Sequence, residues 1–152
     1  MSDSVTIDFI ESHHLFDGVA DADVALIFPF LETRKFKAGD CIISEGKPGD
    51  AIYVIAKGTV RVTKHRASGG DLLLGEMGRG DAFGEMGVLD DAATTASVHA
   101  TKPTTTLVIS KQAFHDIFEF RPNAFRSIMC NIAKDLSVRL RDAVEKLAAS
   151  NA

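Results

Sequence analysis

The chain has 152 residues, 45% of them hydrophobic and 25% charged, with a formal net charge of −4. That length suits one domain able to bury about two-thirds of its unfolded surface without staples, and the acidic balance argues against a general binder of nucleic acid or anionic membrane. No apolar run approaches a membrane span, and residues 1–14 are acidic with no apolar signal core, so a cytoplasmic protein is expected. Cys41 and Cys130 lie far apart with no CxxC pattern, which predicts two reduced, buried thiols.

Residues 5–15 predict a short helix with Ile7, Ile10 and Leu15 on one side. His13 and His14 near its end point in different directions, so solvated or dipole-facing side chains are expected rather than a shared metal. Asp21 is the expected N-cap of a second helix carrying Val24, Ile27, Phe28 and Leu31, with Pro29 marking its frayed end or a kink.

From Glu32 the pattern changes to strand-like runs at 33–36, 41–44, 52–56, 59–63, 71–76, 95–100 and 105–109. Glycine-rich turn signals separate them, among them Gly39-Asp40, Lys57-Gly58 and Ser68-Gly69-Gly70. Short strands at this spacing predict an all-β sandwich, jelly roll or barrel. Val60 and Val62 alternate with Arg61 and Thr63, as a strand with one buried face would.

Ser110 is the expected cap of a third helix bearing Phe114, Ile117 and Phe118 on one face. Pro122 then suits the first position of a last helix, running to about residue 149. Phe125, Ile128 and Ile132 are expected to pack on the strands. Met129, Ala133, Leu136, Leu140, Ala143 and Leu147 form an a/d seam that either continues that packing or serves self-association. The expected division is a helical segment at 1–31, strands at 32–110 and helices at 111–152, all in one domain.

The stretch at 80–98, GDAFGEMGVLDDAATTASV, carries the candidate chemistry. Phe83-Gly84-Glu85-Met86 offers a glycine for close backbone approach, then a carboxylate, then an apolar side chain. A glycine leading into one helical turn leaves free backbone N–H groups suited to an anion, and Glu85 can accept from a sugar hydroxyl pair. The plainer alternative is a β-turn beside a short helix, with Glu85 a solvated or structural carboxylate.

Several motifs together carry a resemblance across about residues 10–147. They are Phe36-Lys37-Ala38-Gly39-Asp40 leading to Ile42-Ile43, then Glu45-Gly46-Lys47-Pro48-Gly49-Asp50, and Ile52-Tyr53-Val54-Ile55 with Lys57-Gly58-Thr59-Val60-Arg61-Val62. Gly80-Asp81-Ala82-Phe83-Gly84-Glu85-Met86-Gly87-Val88-Leu89 completes the set. This order resembles the cyclic nucleotide-binding domain family, to which the catabolite activator protein and the protein kinase A regulatory subunits belong. The resemblance implies an eight-stranded β-roll, a double-stranded β-helix or jelly roll, with N-terminal helices and two C-terminal helices. It implies a regulatory or sensor domain rather than an enzyme, with cAMP or cGMP as ligand and residues 80–98 as a phosphate-binding cassette. Phe83, Gly84, Glu85 and Met86 would lie along the cyclic phosphate and ribose, with Glu85 accepting from the 2′-hydroxyl.

One departure stands out. The family's cassette arginine, nine residues after the glutamate, is here Thr94, and no arginine occurs between Arg79 and Arg121. Asp90 and Asp91 add negative charge to the same bend. A bidentate arginine–phosphate bond is charge-assisted, and losing such a partner costs about 2–5 kcal/mol; hydroxyl bonds from Thr94 and Thr95 offset only part of that. Arg139 on the last helix matches the region from which family members reach the base, whereas Lys64, His65 and Arg66 are expected to be solvated.

Weak or absent binding of ordinary cAMP or cGMP follows. Action through an unidentified protein partner, or a homodimer through 129–147, is expected, with the apolar faces of Phe114, Phe118, Phe125 and Met129 as a packing switch. No helix-turn-helix follows the last helix, so direct DNA binding is not expected. The alternative is a degenerate member serving as a protein-interaction or assembly module. A jelly-roll metalloenzyme would need clustered inward histidines, whereas His65, His99 and His115 are isolated.

Overall fold

The unbroken apolar run at residues 51–55 has no polar face, so a strand there must be covered on both sides. The computed structural model, which describes residues 4–90 and 92–151, shows how. Helix α1 (Ile7–Ser12) and a 3-10 turn at His14–Phe16 lead to α2 (Asp21–Ile27) and a second turn, Phe28–Phe30. Then come β1 (Glu32–Phe36), β2 (Cys41–Ile43), β3 (Ala51–Lys57), β4 (Val60–His65), β5 (Asp71–Met77) and β6 (Ala82–Phe83). Helix α3 (Glu85–Leu89) precedes β7 (Ser97–Ala100) and β8 (Thr104–Ser110), and α4 (Lys111–Phe120) and α5 (Pro122–Ser150) follow.

The strands form two antiparallel sheets, ordered β1-β8-β3-β6 and β2-β7-β4-β5, so the roll is a sandwich rather than a closed barrel. One face of β3 sends Tyr53 and Ile55 against Val60 and Val98 of the opposite sheet. The other sends Ile52 and Val54 into a second cluster with Ile10, Val24, Ile117, Ile128 and Ile132 of the helices. Both faces of β3 are therefore core. Ser110 caps α4 by accepting from the Ala113 N–H, and Pro122 opens α5, where its missing N–H costs nothing.

Several expectations need correction. Ala20, not Asp21, occupies the cap position of α2 and makes no side-chain bond; Asp21 and Asp23 instead sit in the first turn, where the helix dipole favours carboxylates. Thr63 is buried rather than open to solvent; it sits where the register with β5 shifts, Leu74 being an extra residue in that strand. Both thiols are exposed. Cys41 starts β2 at a sheet edge, and Cys130 lies two residues from both Ile128 and Ile132, on the outer face of α5. His13 is buried, since α1 ends at Ser12 and the extended residue after it turns inward. The two-residue β6 was not anticipated as a strand; it pairs Phe83 with Tyr53.

Candidate functional site

Phe83, Gly84, Glu85, Met86, Thr94, Thr95 and Arg139, separated by as many as 56 positions in sequence (139 − 83), all line one cavity of about 140 Å³. Ile43, Val62, Met77 and Val98 complete much of its apolar wall. Its two polar sides are built differently.

The first side is α3, pressed against the start of β3. Gly84 adopts φ +90°, and a Cβ there would sit 2.5 Å from the Ala51 carbonyl oxygen. Gly87 meets Gly49 in the same way: a Cβ on Gly49 would lie 2.4 Å from Gly87 Cα. Only glycine permits either approach. Phe83 stacks on Tyr53 with ring centroids 5.2 Å apart, and the Tyr53 hydroxyl accepts from Arg34 and donates to Asp50. Met86 points largely to solvent and is 50% exposed.

Glu85 is thereby held inward and is only 5% exposed. Its Oε1 accepts from the Arg139 guanidinium, which also donates to the Ala82 carbonyl. Its Oε2 is buried with no hydrogen-bond partner. Burial pushes the Glu85 carboxyl above its ordinary range; Arg139 is the strongest influence pulling it back, while Asp135 adds to the rise. A buried carboxylate with one free oxygen suits a ligand that brings a donor.

The second side is the bend before β7. The Thr94 hydroxyl donates to the Ser44 carbonyl at 2.6 Å, its N–H donates to the Lys47 carbonyl, and its own carbonyl accepts from Gly46. Every polar group of Thr94 thus ties the bend to the turn after β2. The Thr95 carbonyl accepts from Lys64 Nζ at 2.8 Å, and Lys64 also pairs with Glu45. The His65 backbone N–H, then Lys64, hold the Glu45 carboxyl below its usual range. Lys64 is half-exposed, yet it is bonded rather than freely solvated. Asp90 is exposed and accepts from the Ala92 N–H, whereas Asp91 lies outside the described residues.

Arg139 reaches the cavity because α5 carries a polar row at four-residue spacing that the sequence reading missed. Asn131 donates to the carbonyls of Leu15 and Asp17, Asp135 bonds His14 at 2.8 Å, and Arg139 completes the row at Glu85. The signal was legible as three polar residues at i, i+4 and i+8 beside the buried Ile128 and Ile132. His13 also supports the α3 side: its Nε2–H donates to the Gly80 carbonyl at 2.7 Å while Nδ1 accepts from the Leu15 N–H. Beyond Arg139 the seam opens to solvent, with Leu140 66% exposed and Leu147 similarly so.

Among the described residues the cavity lining carries one cation, Arg139, and it is already paired with Glu85.

Comparison with known proteins gives one consistent answer. The family model described as "Cyclic nucleotide-binding domain" matches residues 33–120. The "Cyclic AMP receptor protein" of Thermus thermophilus is 31% identical over 129 residues, covering 85% of this chain and 58% of that protein's length. A solved cyclic nucleotide-binding domain from Methylobacillus flagellatus superposes with a TM-score of 0.84 at 22% identity, covering 95% of this chain and 81% of that one. The regulatory subunit of a cAMP-independent protein kinase A from Trypanosoma cruzi, solved bound to guanosine, gives a TM-score of 0.71 at 26% identity. That alignment covers 94% of this chain and 49% of that one. The chain thus spans about half to four-fifths of the length of these relatives.

Proposed function

The chain belongs to the cyclic nucleotide-binding domain family, and from that premise we propose a non-enzymatic regulatory domain that senses a small ligand between α3 and the bend before β7, yet holds ordinary cAMP or cGMP weakly. The observation that carries this reading is Thr94: where the family's arginine would meet the phosphate, its hydroxyl is bound to the Ser44 carbonyl instead. A neutral hydroxyl already engaged by backbone cannot replace a bidentate guanidinium. The cAMP-independent description of the T. cruzi relative supports separating this fold from a cAMP response.

In this reading Glu85 orients the ligand and Arg139 reports on it. A ligand group that bonds Glu85 competes for the contact tying α5 to α3. Loosening that contact alters how the end of α5 presents Leu140, Val144 and Leu147, an exposed row suited to a second copy or a partner protein. Calorimetry with cAMP and cGMP tests the binding claim: dissociation constants above about 10 μM are expected, and a submicromolar value overturns it. Amide exchange across 111–147 tests the coupling; no change on saturation with a bound ligand overturns that part.

The closed Glu85–Arg139 pair and the small cavity favour a second reading, a protein-interaction module with no small ligand. Usual small-molecule pockets run to roughly 300–1,000 Å³. A chain that binds none of these nucleotides at millimolar concentration, yet dimerises through 129–147, would support it.

A further inference from the structure

A second and larger cavity, of about 330 Å³, opens at one end of the sheet β1-β8-β3-β6, where β1 and β3 finish and β8 begins. Its floor is apolar and draws on both cores: Val5 and Ala56 belong to the cluster beneath the helices, and Phe36 to the cluster between the sheets. Lys35 and Lys57 line it, and among the described residues no carboxylate does. In a chain of net charge −4 this is a local concentration of positive charge.

Register brings the two lysines together. Lys35 of β1 and Lys57 of β3 both pair with Thr105 of β8, one on each side, so all three side chains leave the same face. On β3 this takes an irregularity. The strand runs in step with β8 up to Ile55, which faces Thr106, and Ala56 would face Thr105 next. The register shifts there instead: Ala56 is an extra residue, and Lys57 stands opposite Thr105. Such a bulge re-aims a side chain, here an ammonium, onto the face that Val54 and Leu107 continue as core. Val5 covers that adjoining row, its N–H donating to the Thr33 hydroxyl at 2.9 Å. The Lys57 ammonium and the Thr105 hydroxyl make no hydrogen bond or ion pair among the described residues.

We propose that this cavity binds a small organic carboxylate, an acidic group on a short hydrocarbon or aromatic body, and that Lys57 holds the acid. The ammonium donates to the carboxylate in a charge-assisted bond, the Thr105 hydroxyl donates a second, and the body lies on Val5, Phe36 and Ala56. Lys35 adds positive potential from the other side of Thr105. A phosphate suits the site less, because no arginine and no helix residue lines it and the apolar floor would stay uncovered. The two cavities share no lining residue, so this site stands whatever the one beside α3 takes.

The test is an NMR titration of the full chain with benzoate, benzyl alcohol, benzylamine and inorganic phosphate. Benzoate is expected to bind in the millimolar range or tighter, at least about tenfold more tightly than the other three, and to shift the amides of residues 35–36, 56–57 and 104–105. Lys57→Gln should weaken benzoate about tenfold, the effect of one bond to a charged group, whereas Lys57→Arg should retain it. Lys57 is exposed, so neither change disturbs the core. Benzyl alcohol or phosphate binding as tightly as benzoate, shifts confined to residues 83–95, or benzoate affinity unchanged in Lys57→Gln overturns the inference. So does the absence of benzoate binding at about 10 mM.

Discussion

The two polar sides of the cavity are under different kinds of constraint. On the α3 side the fold itself needs the residues present: Gly84 and Gly87 lie so close to Ala51 and Gly49 that no side chain fits. That geometry holds the Glu85 carboxylate inward whether or not a ligand is there. On the bend side the fold needs only a residue that ties residues 44–47 to β7, which Thr94 does through its hydroxyl and backbone. A cation at that position would serve a ligand and nothing else. Packing can therefore preserve half of a binding cavity while the charge on the other half is absent, and a glycine pattern reports fold more directly than ligand.

The largest expected effect probes the packed side. Gly84→Ala places a Cβ against the Ala51 carbonyl and forces a left-handed backbone, costing roughly 3 kcal/mol in urea unfolding. A loss below about 0.5 kcal/mol, ordinary for a surface change, would break the claim that packing fixes this side. Next comes the ion pair, read by a double-mutant cycle of Glu85→Gln and Arg139→Met. A coupling of about 1–2 kcal/mol is expected, toward the low end for a buried pair because the Arg139 side chain is 37% exposed. Coupling near zero would mean that α5 is not tied to α3 by this contact.

The smallest effect concerns pH and the support beneath α3. Burial holds His13 below its ordinary value of 6.5, against the opposing bond to the Gly80 carbonyl. The unfolded chain then binds the proton more readily than the folded one, so His13's contribution is present above about pH 6.5 and is lost as pH falls below it. Glu85, shifted upward, acts with the opposite sign: stability falls as pH rises from its unfolded value toward its folded one. Thermal melts at pH 5.5 and 7.5 should show that lowering the pH costs the unaltered chain more stability than it costs His13→Gln, the Glu85 contribution being common to both. An unchanged difference would remove His13 from the account.

The strand runs were legible because turn glycines separate them and because the apolar run at 51–55 admits only a doubly covered strand. What escaped were features that local pattern does not encode. Ala82 and Phe83 pair with β3 over two residues, too few for any periodicity. The burial of Thr63 lies beside a register shift with β5, where Leu74 is an extra residue in the partner strand, and β4's own sequence carries no trace of it. The candidate residues were named from spacing and resemblance, and Arg139 was singled out without its partner. That Glu85 and Arg139 meet depends on where α5 lies on the roll, which Asn131 and Asp135 fix through contacts more than 100 residues away in sequence.

The central claim is tested most directly by measuring cAMP affinity by calorimetry in the unaltered chain and in Thr94→Arg. Weak binding in the first and a gain of at least about 30-fold in the second are expected, the lower end of what a charge-assisted partner supplies. Submicromolar cAMP binding by the unaltered chain, or no gain in a folded Thr94→Arg variant, would contradict it.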